Sequence, residues 1–85
     1  MRKILRAFVL VKMKPGTSEE IVRSRRIRGV KMANSVIGRY DAVVVVEANS
    51  LEELQKIIYE MIEQHPNVTR TETLISIFHP PKPAP

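Results

Sequence analysis

The chain is predicted to fold as an α+β domain of the ferredoxin-like type, with the element order βαββαβ and a four-stranded antiparallel sheet. Three observations predict this class. Four segments carry the alternation or the β-branched runs typical of strands, two segments carry helix-start signals, and their order along the chain is that of a split βαβ arrangement. Both helices are then expected on one face of the sheet.

The length and composition are those of one small globular domain. The chain has 85 residues, of which 44% are apolar, and it has no cysteine. These values predict a packed core and exclude disulfides and thiolate metal sites. We place the domain at residues 1–79 and a proline-rich tail at residues 80–85. Because the N-terminus lacks a signal-peptide pattern and no apolar run is long enough for a bilayer, we expect a cytoplasmic protein with no membrane partner.

The first strand is predicted over residues 5–13, which are apolar at almost every position. Pro15-Gly16 ends it, and the following Thr17-Ser18-Glu19-Glu20 matches a capping box, with the Thr17 hydroxyl able to accept from an amide near Glu20. A helix is therefore expected from there to Gly29, a residue typical of helix C-termini. Its apolar stripe is thin, and arginines occupy much of its surface: Arg23, Arg25, Arg26 and Arg28.

A hairpin is predicted next. Residues 30–39 alternate as a second strand, Gly38-Arg39-Tyr40-Asp41 supplies turn formers, and Ala42–Ala48 is a β-branched run. Ser50-Leu51-Glu52-Glu53 is a second capping box, and the apolar residues after it recur at helical spacing until Pro66. The alternation over Val68–Phe78 predicts the fourth strand. Residues 79–85 cannot form a regular ladder, and we expect a structurally passive extended tail.

Both faces of the predicted sheet are apolar, although the helices can cover only one of them. Residues 5–11 and 42–46 are apolar on both sides of their strands, whereas two helices cover only one face of a sheet. A second copy of the chain is therefore expected to cover the other face, which predicts a dimeric α+β sandwich or barrel.

Three landmarks occur together in a recognisable order: Gly38-x-Tyr40-Asp41 leading into a valine run, then Leu51-Glu52-Glu53-Leu54, then Asn67-Val68-x-Arg70-Thr71-Glu72-Thr73. With these, most of the chain resembles the effector-binding (RAM) domain of Lrp/AsnC transcription regulators. The resemblance implies sheet-paired dimers, their assembly into an octamer or similar ring, and amino-acid effectors bound between dimers. Full regulators also carry an N-terminal helix-turn-helix domain. We expect a stand-alone form without it, which makes no sequence-specific DNA contact and senses a metabolite, co-assembles with full-length regulators, or does both.

The resemblance directs attention to a ligand site at the hairpin turn and the last strand. An amino acid needs an acceptor for its ammonium group and donors for its carboxylate, and these positions carry both kinds of group. The alternative is that they only build the turn and the strand. Many relatives have an acidic residue where this chain has Arg39, so an acidic ligand becomes conceivable. The predicted site residues are Gly38, Arg39, Tyr40, Asp41, Thr71 and Thr73.

Two other functions stay open. The four arginines of the first helix suit a nucleic-acid-binding module, but Ala42–Ala48 lacks the aromatics on which RNA-recognition motifs stack bases. Small enzymes share this dimeric fold. His65 and His79 are interpreted as structural, with the His65 imidazole near the last carbonyls of the second helix, and no residue pattern predicts a catalytic site, a metal site or a cofactor.

Overall fold

The structure is a computed structural model that describes residues 4–78. The elements are β1 (Ile4–Met13), a 3₁₀ helix (Ser18–Arg26), β2 (Val30–Ser35), β3 (Ala42–Ala48), α1 (Leu51–Gln64) and β4 (Val68–Phe78). The predicted ferredoxin-like α+β order is confirmed. The proposed tail and His79 lie outside the described residues, so the boundary at residue 79 stays a prediction. Within residues 4–78, neither helix has the length and apolar character needed to span a membrane.

The strands form one antiparallel sheet in the order β2-β3-β1-β4. One face carries the core, which consists largely of alanine and valine side chains and lies under the two helices. Small side chains let the helices approach the sheet closely, and each fully buried valine or leucine contributes about 1.5–3 kcal/mol. The buried residues of this core are Ala7, Val9, Val11, Met13, Ile21, Ile27, Ala33, Ala42, Val44, Val46, Ala48, Leu54, Ile57 and Met61.

The first helix differs from the prediction. It is a 3₁₀ helix in which the Thr17 side chain makes no capping bond, and the Thr17 hydroxyl instead donates to the Lys14 carbonyl at 2.7 Å. The predicted capping box at Thr17 is therefore wrong. Burial explains the helix type, because Ile21, Ser24 and Ile27 are buried at intervals of three, which is the repeat of a 3₁₀ helix.

The N-cap of the second predicted capping box is confirmed, whereas the Glu53 carboxylate accepts from the Asn49 amide at 3.4 Å instead of the Ser50 amide. The Ser50 hydroxyl accepts from the Glu53 amide at 3.1 Å, which satisfies one of the amides that a helix N-terminus leaves without a partner. Buried Leu54, Ile57 and Met61 then hold α1 against the core.

The second strand is shorter than predicted. It ends at Ser35 rather than Arg39, and its regular alternation is interrupted because Val30 pairs with Val46 whereas Met32 pairs with Val45. The extra residue is a bulge, which shifts the facing of the residues around it. After Ser35 the chain leaves the ladder.

The second sheet face is apolar at its centre, as predicted, and carries charged residues toward its ends. Because residues that pair directly across an antiparallel sheet share a face, the registers place β1, β3 and β4 side chains together on the side away from the core. We call this surface the open face. Its apolar residues are Phe8, Leu10, Val43, Val45 and Leu74. None of them belongs to the core cluster beneath the helices.

Candidate functional site

The hairpin turn is held by Asp41 against the end of β1. Its amide donates to the Val11 carbonyl at 2.9 Å, its carbonyl accepts from Val36 at 2.9 Å, and its carboxylate accepts from the Met13 amide at 2.8 Å. This carboxylate therefore satisfies a backbone donor where the ladder becomes irregular. Asp41 therefore has a structural role in the turn, and its part in ligand binding stays a prediction.

Tyr40 extends from the hairpin to β4. Its hydroxyl donates to the Glu72 carboxylate at 2.9 Å, and this hydrogen bond is the main reason that the pKa of Tyr40 is raised above 10.0. Arg70 and Arg39 act in the opposite direction and lower this pKa by electrostatic attraction. Tyr40, Arg39, Arg70 and Glu72 thus lie within electrostatic reach of one another at the hairpin end of the sheet.

Thr71 and Thr73 lie on the opposite face of β4 from Glu72. Thr71 pairs with Val11 and Thr73 with Val9, both core residues. The sheet therefore separates the two groups of predicted site residues. Tyr40 reaches β4 on the open face, and the two threonines face the helix side, so one chain does not bring all of them into one cavity.

Thr73 lines a groove between α1 and β4 that was not predicted. The groove has a volume of about 330 Å³, and its walls are mainly apolar. Leu51 and Ile75, which line it, are each 51% exposed. The lining residues are Leu51, Leu54, Gln55, Ile58, Tyr59, Ile62, Thr73 and Ile75. One feature of the sequence indicated this groove: the apolar stripe on α1 is wider than the surface that a helix buries against a sheet.

Gly38 and Arg39 lie at the exposed tip of the hairpin. Gly38 has a φ of +151°, and a Cβ at that position would meet nothing within 4 Å. The glycine is therefore needed for backbone conformation rather than for close packing within the chain.

Two of the four arginines predicted as one cluster, Arg25 in the 3₁₀ helix and Arg28 just after it, face different neighbours. Arg25 donates to the Ala33 carbonyl at 3.0 Å and also bonds the Asn34 side chain, so its guanidinium holds the helix to β2. Arg28 instead faces α1, where it lines a shallow depression with Glu53 and Glu60. These two arginines therefore do not add to one cationic surface of the kind that phosphate binding needs.

A buried Ser24–His65 pair joins the 3₁₀ helix to the end of α1. Ser24 is fully buried and His65 is 4% exposed, and Ser24 Oγ and His65 Nε2 share a hydrogen bond of 2.8 Å. The His65 ring was predicted to contact the last carbonyls of the helix; this prediction was wrong, because the ring bonds the Ser24 hydroxyl instead. Burial lowers the pKa of His65 below 6.5, Glu20 raises it and Arg23 lowers it.

We expect this pair to make folding stability depend on pH. Because the folded pKa of His65 is depressed, the unfolded chain takes up a proton first as the pH falls. The free energy of unfolding should be constant above the unfolded pKa and decrease below about pH 6.5, with a slope of at most about 1.4 kcal/mol per pH unit from this group. Urea unfolding between pH 5 and 8, at one protein concentration, measures it.

His65→Gln is the control for this pH effect. The variant loses the part of the slope that His65 causes, while the part due to carboxylates remains. Equal slopes in the two proteins would show that His65 does not titrate on unfolding.

Among residues 4–78, no group of three or more histidine, aspartate or glutamate side chains is placed to hold a metal ion. Ser24 is fully buried beside His65, so substrate has no access to this hydroxyl. The Ser24–His65 pair is therefore not an exposed nucleophile and base of the kind that hydrolytic chemistry requires.

Comparison with known proteins identifies relatives of this fold. The family model described as the Lrp/AsnC ligand binding domain matches residues 6–83. No curated protein matches the chain. Among solved structures, the hypothetical protein PHS023 from Pyrococcus horikoshii is 33% identical, with a TM-score of 0.79 over 88% of this chain and 92% of that one.

Two further structures are similar. The protein TTHA0845 from Thermus thermophilus is 29% identical, with a TM-score of 0.79 over 92% of this chain and 99% of that chain. E. coli AsnC is 21% identical, with a TM-score of 0.73 over 94% of this chain and 55% of AsnC. The AsnC comparison shows a shared fold, and the chain spans about half the length of that regulator.

Proposed function

The chain belongs to the family of Lrp/AsnC ligand binding domains, and from this membership we propose that it is a regulatory module that binds an amino acid between assembled copies. The module acts by changing assembly rather than by catalysis. Through that assembly it modulates transcription regulators.

The division of the predicted site by the sheet supports ligand binding between copies. Tyr40, which follows Arg39 at the hairpin, reaches Glu72 on the open face, whereas Thr71 and Thr73 face the helix side. A ligand that touches both groups needs the hairpin of one chain and the β4 threonines of another. Ligand binding and association of the chains would then stabilise each other, as thermodynamic linkage requires.

The open face supports dimerisation. Leu74 is 51% exposed in the single chain, and Phe8 and Val45 lie next to it across the sheet. Burying this surface against the same surface of a second copy removes apolar area from water at about 25 cal/mol per Å². Dimers then assemble further into an octamer or similar ring.

Full-length Lrp/AsnC regulators are the proposed protein partners. Such regulators contain this fold, as the AsnC comparison illustrates, so their open faces offer a surface of the same shape. Mixed dimers between the two kinds of chain would change how many DNA-binding domains one assembly carries.

Calorimetry against the twenty amino acids tests ligand binding. We expect at least one to bind, and at 100 times its dissociation constant to raise the free energy of unfolding by about 2.7 kcal/mol. Thr73→Val removes a hydroxyl with little change of shape and should weaken binding about tenfold, as loss of one hydrogen bond does. Thr69→Val is the matched control, because Thr69 lies on the same strand as Thr73 and its hydroxyl donates to the Lys12 carbonyl on β1 at 3.2 Å.

The absence of both heat and thermal stabilisation with all twenty amino acids would refute the ligand proposal. Equal losses in the Thr73 and Thr69 variants would instead assign the effect to β4 as a whole and remove Thr73 from the site.

A further inference from the structure

Two cations face each other at the hairpin end of the open face. Lys12 on β1 pairs directly with Arg70 on β4, and both side chains are exposed. Like charges directly opposite each other in a sheet are destabilising, by the roughly 0.2–1 kcal/mol that a cross-strand pair typically contributes. A bound partner with negative charge would offset the repulsion within this pair.

The hairpin adds a third cation to this pair. Arg39 precedes Tyr40, whose hydroxyl bonds Glu72 two residues beyond Arg70. Arg39 and Arg70 are both close enough to Tyr40 to act on its titration. We call the group of Lys12, Arg39 and Arg70 the cationic corner.

The carboxylates nearest to the corner are already engaged. Asp41 accepts from the Met13 amide at 2.8 Å, and one oxygen of Glu72 accepts from Tyr40 at 2.9 Å. Over residues 4–78, the one ion pair within 4.0 Å joins Arg6 to Glu47 at the other end of the sheet. The Asp41 and Glu72 carboxylates offset two of the three positive charges of the corner, which keeps a net charge of about +1.

We propose that the cationic corner selects an acidic amino acid, with two carboxylates and one ammonium group, as the ligand of this module. The inference rests on the proposed function and names the class of its effector. Arginine forks match carboxylates in a bidentate geometry. The second oxygen of Glu72 is an acceptor for the ammonium group, since a carboxylate has lone pairs for several donors.

Dimerisation strengthens the case. If a second copy covers the open face, the corner becomes partly desolvated, and an unpaired charge in such a place is costly. A ligand with an extra carboxylate removes this cost, whereas its neutral amide analogue does not. The same charge that opposes folding of the empty module would thus provide selectivity for the ligand.

The test compares isosteric pairs by calorimetry with the full chain: L-glutamate against L-glutamine, and L-aspartate against L-asparagine. One acid should bind at least about tenfold more tightly than its amide, as loss of a charge-assisted hydrogen bond implies. Arg39→Gln and Arg70→Gln should each weaken binding of the acid by about the same factor and change binding of the amide much less. Arg26→Gln, which removes an exposed arginine from the 3₁₀ helix, is the matched control and should change neither.

The possible failures are distinct. If an amide or another neutral amino acid binds as tightly as the acids, the inference is wrong and the proposed function stands. If none of the twenty amino acids binds, the proposed function itself fails. If Arg39→Gln and Arg70→Gln weaken self-association and leave ligand affinity unchanged, the corner pairs with carboxylates of a second copy, and the inference is again overturned.

Discussion

Replacing Leu74 with glutamate is expected to convert the proposed dimer into a monomer at micromolar concentration without unfolding the chain. Leu74 lies on the open face opposite Phe8 and is 51% exposed in a single chain, so the monomer tolerates a charge there. Because about half of this side chain is already covered in the single chain, each copy of the proposed dimer would lose about 0.8–1.5 kcal/mol of apolar burial. Over two copies this raises the dissociation constant about tenfold to a hundredfold.

Leu51→Glu is a closely matched control. Leu51 is also a leucine with 51% exposure, but it lies at the start of α1 on the other side of the sheet, where a negative charge suits the helix dipole. Sedimentation velocity over a range of concentrations, with circular dichroism to check folding, compares the variants. A wild-type chain that stays monomeric at all these concentrations would contradict the dimer. Equal dissociation by Leu74→Glu and Leu51→Glu would assign the contact to some other surface.

Gly29→Ala is expected to cost about 2–4 kcal/mol of folding stability, from a strained backbone and an overpacked contact together. Gly29 has a φ of +96°, and an added Cβ would lie 2.4 Å from Ile57 Cδ1 and 3.3 Å from the Glu47 carbonyl oxygen. That carbonyl cannot move freely, because Glu47 also donates its amide to the Gly29 carbonyl at 2.9 Å. The substitution therefore disturbs the contact between the start of β2, β3 and α1.

Two further variants separate the causes. Gly16 also has a positive φ, of +81°, but nothing lies within 4 Å of an added Cβ, so Gly16→Ala should cost about 1 kcal/mol from backbone strain alone. Ile57→Val removes the clashing methyl group and should recover part of the loss in the Gly29→Ala background. Denaturant unfolding at one protein concentration measures these variants and the wild type. Equal costs at Gly16 and Gly29, or no recovery with Ile57→Val, would disprove the packing explanation.

Much of the fold could be predicted because its signals are local. The β-branched run of β3, the apolar spacing of α1 and the Ser50 cap each lie within about a dozen residues, so local preferences decide them. The two-sided apolar character of β1 and β3 was visible for the same reason. The type of the first helix was not, because its period of three results from burial of Ser24 against His65, 41 positions away.

The candidate site was predicted only in part. Tyr40 and Thr73 were singled out through the family resemblance, but their separation by the sheet depends on the register between β1 and β4. The groove beside Thr73 also escaped prediction. The groove exists because neither helix covers the helix side of β4 at Ile75. Where the helices lie over the sheet depends on the packing of the entire core, which a local sequence pattern does not report.

The amino-acid sequence by itself determined the element order, the family and the presence of a second apolar sheet face. Only the tertiary structure decided which side chains meet: Tyr40 with Glu72 across 32 positions, Lys12 with Arg70 in one register, and His65 with Ser24 in the core. Periodicity is a property of consecutive residues, whereas a register or a buried hydrogen bond depends on the free energy of two distant partners together.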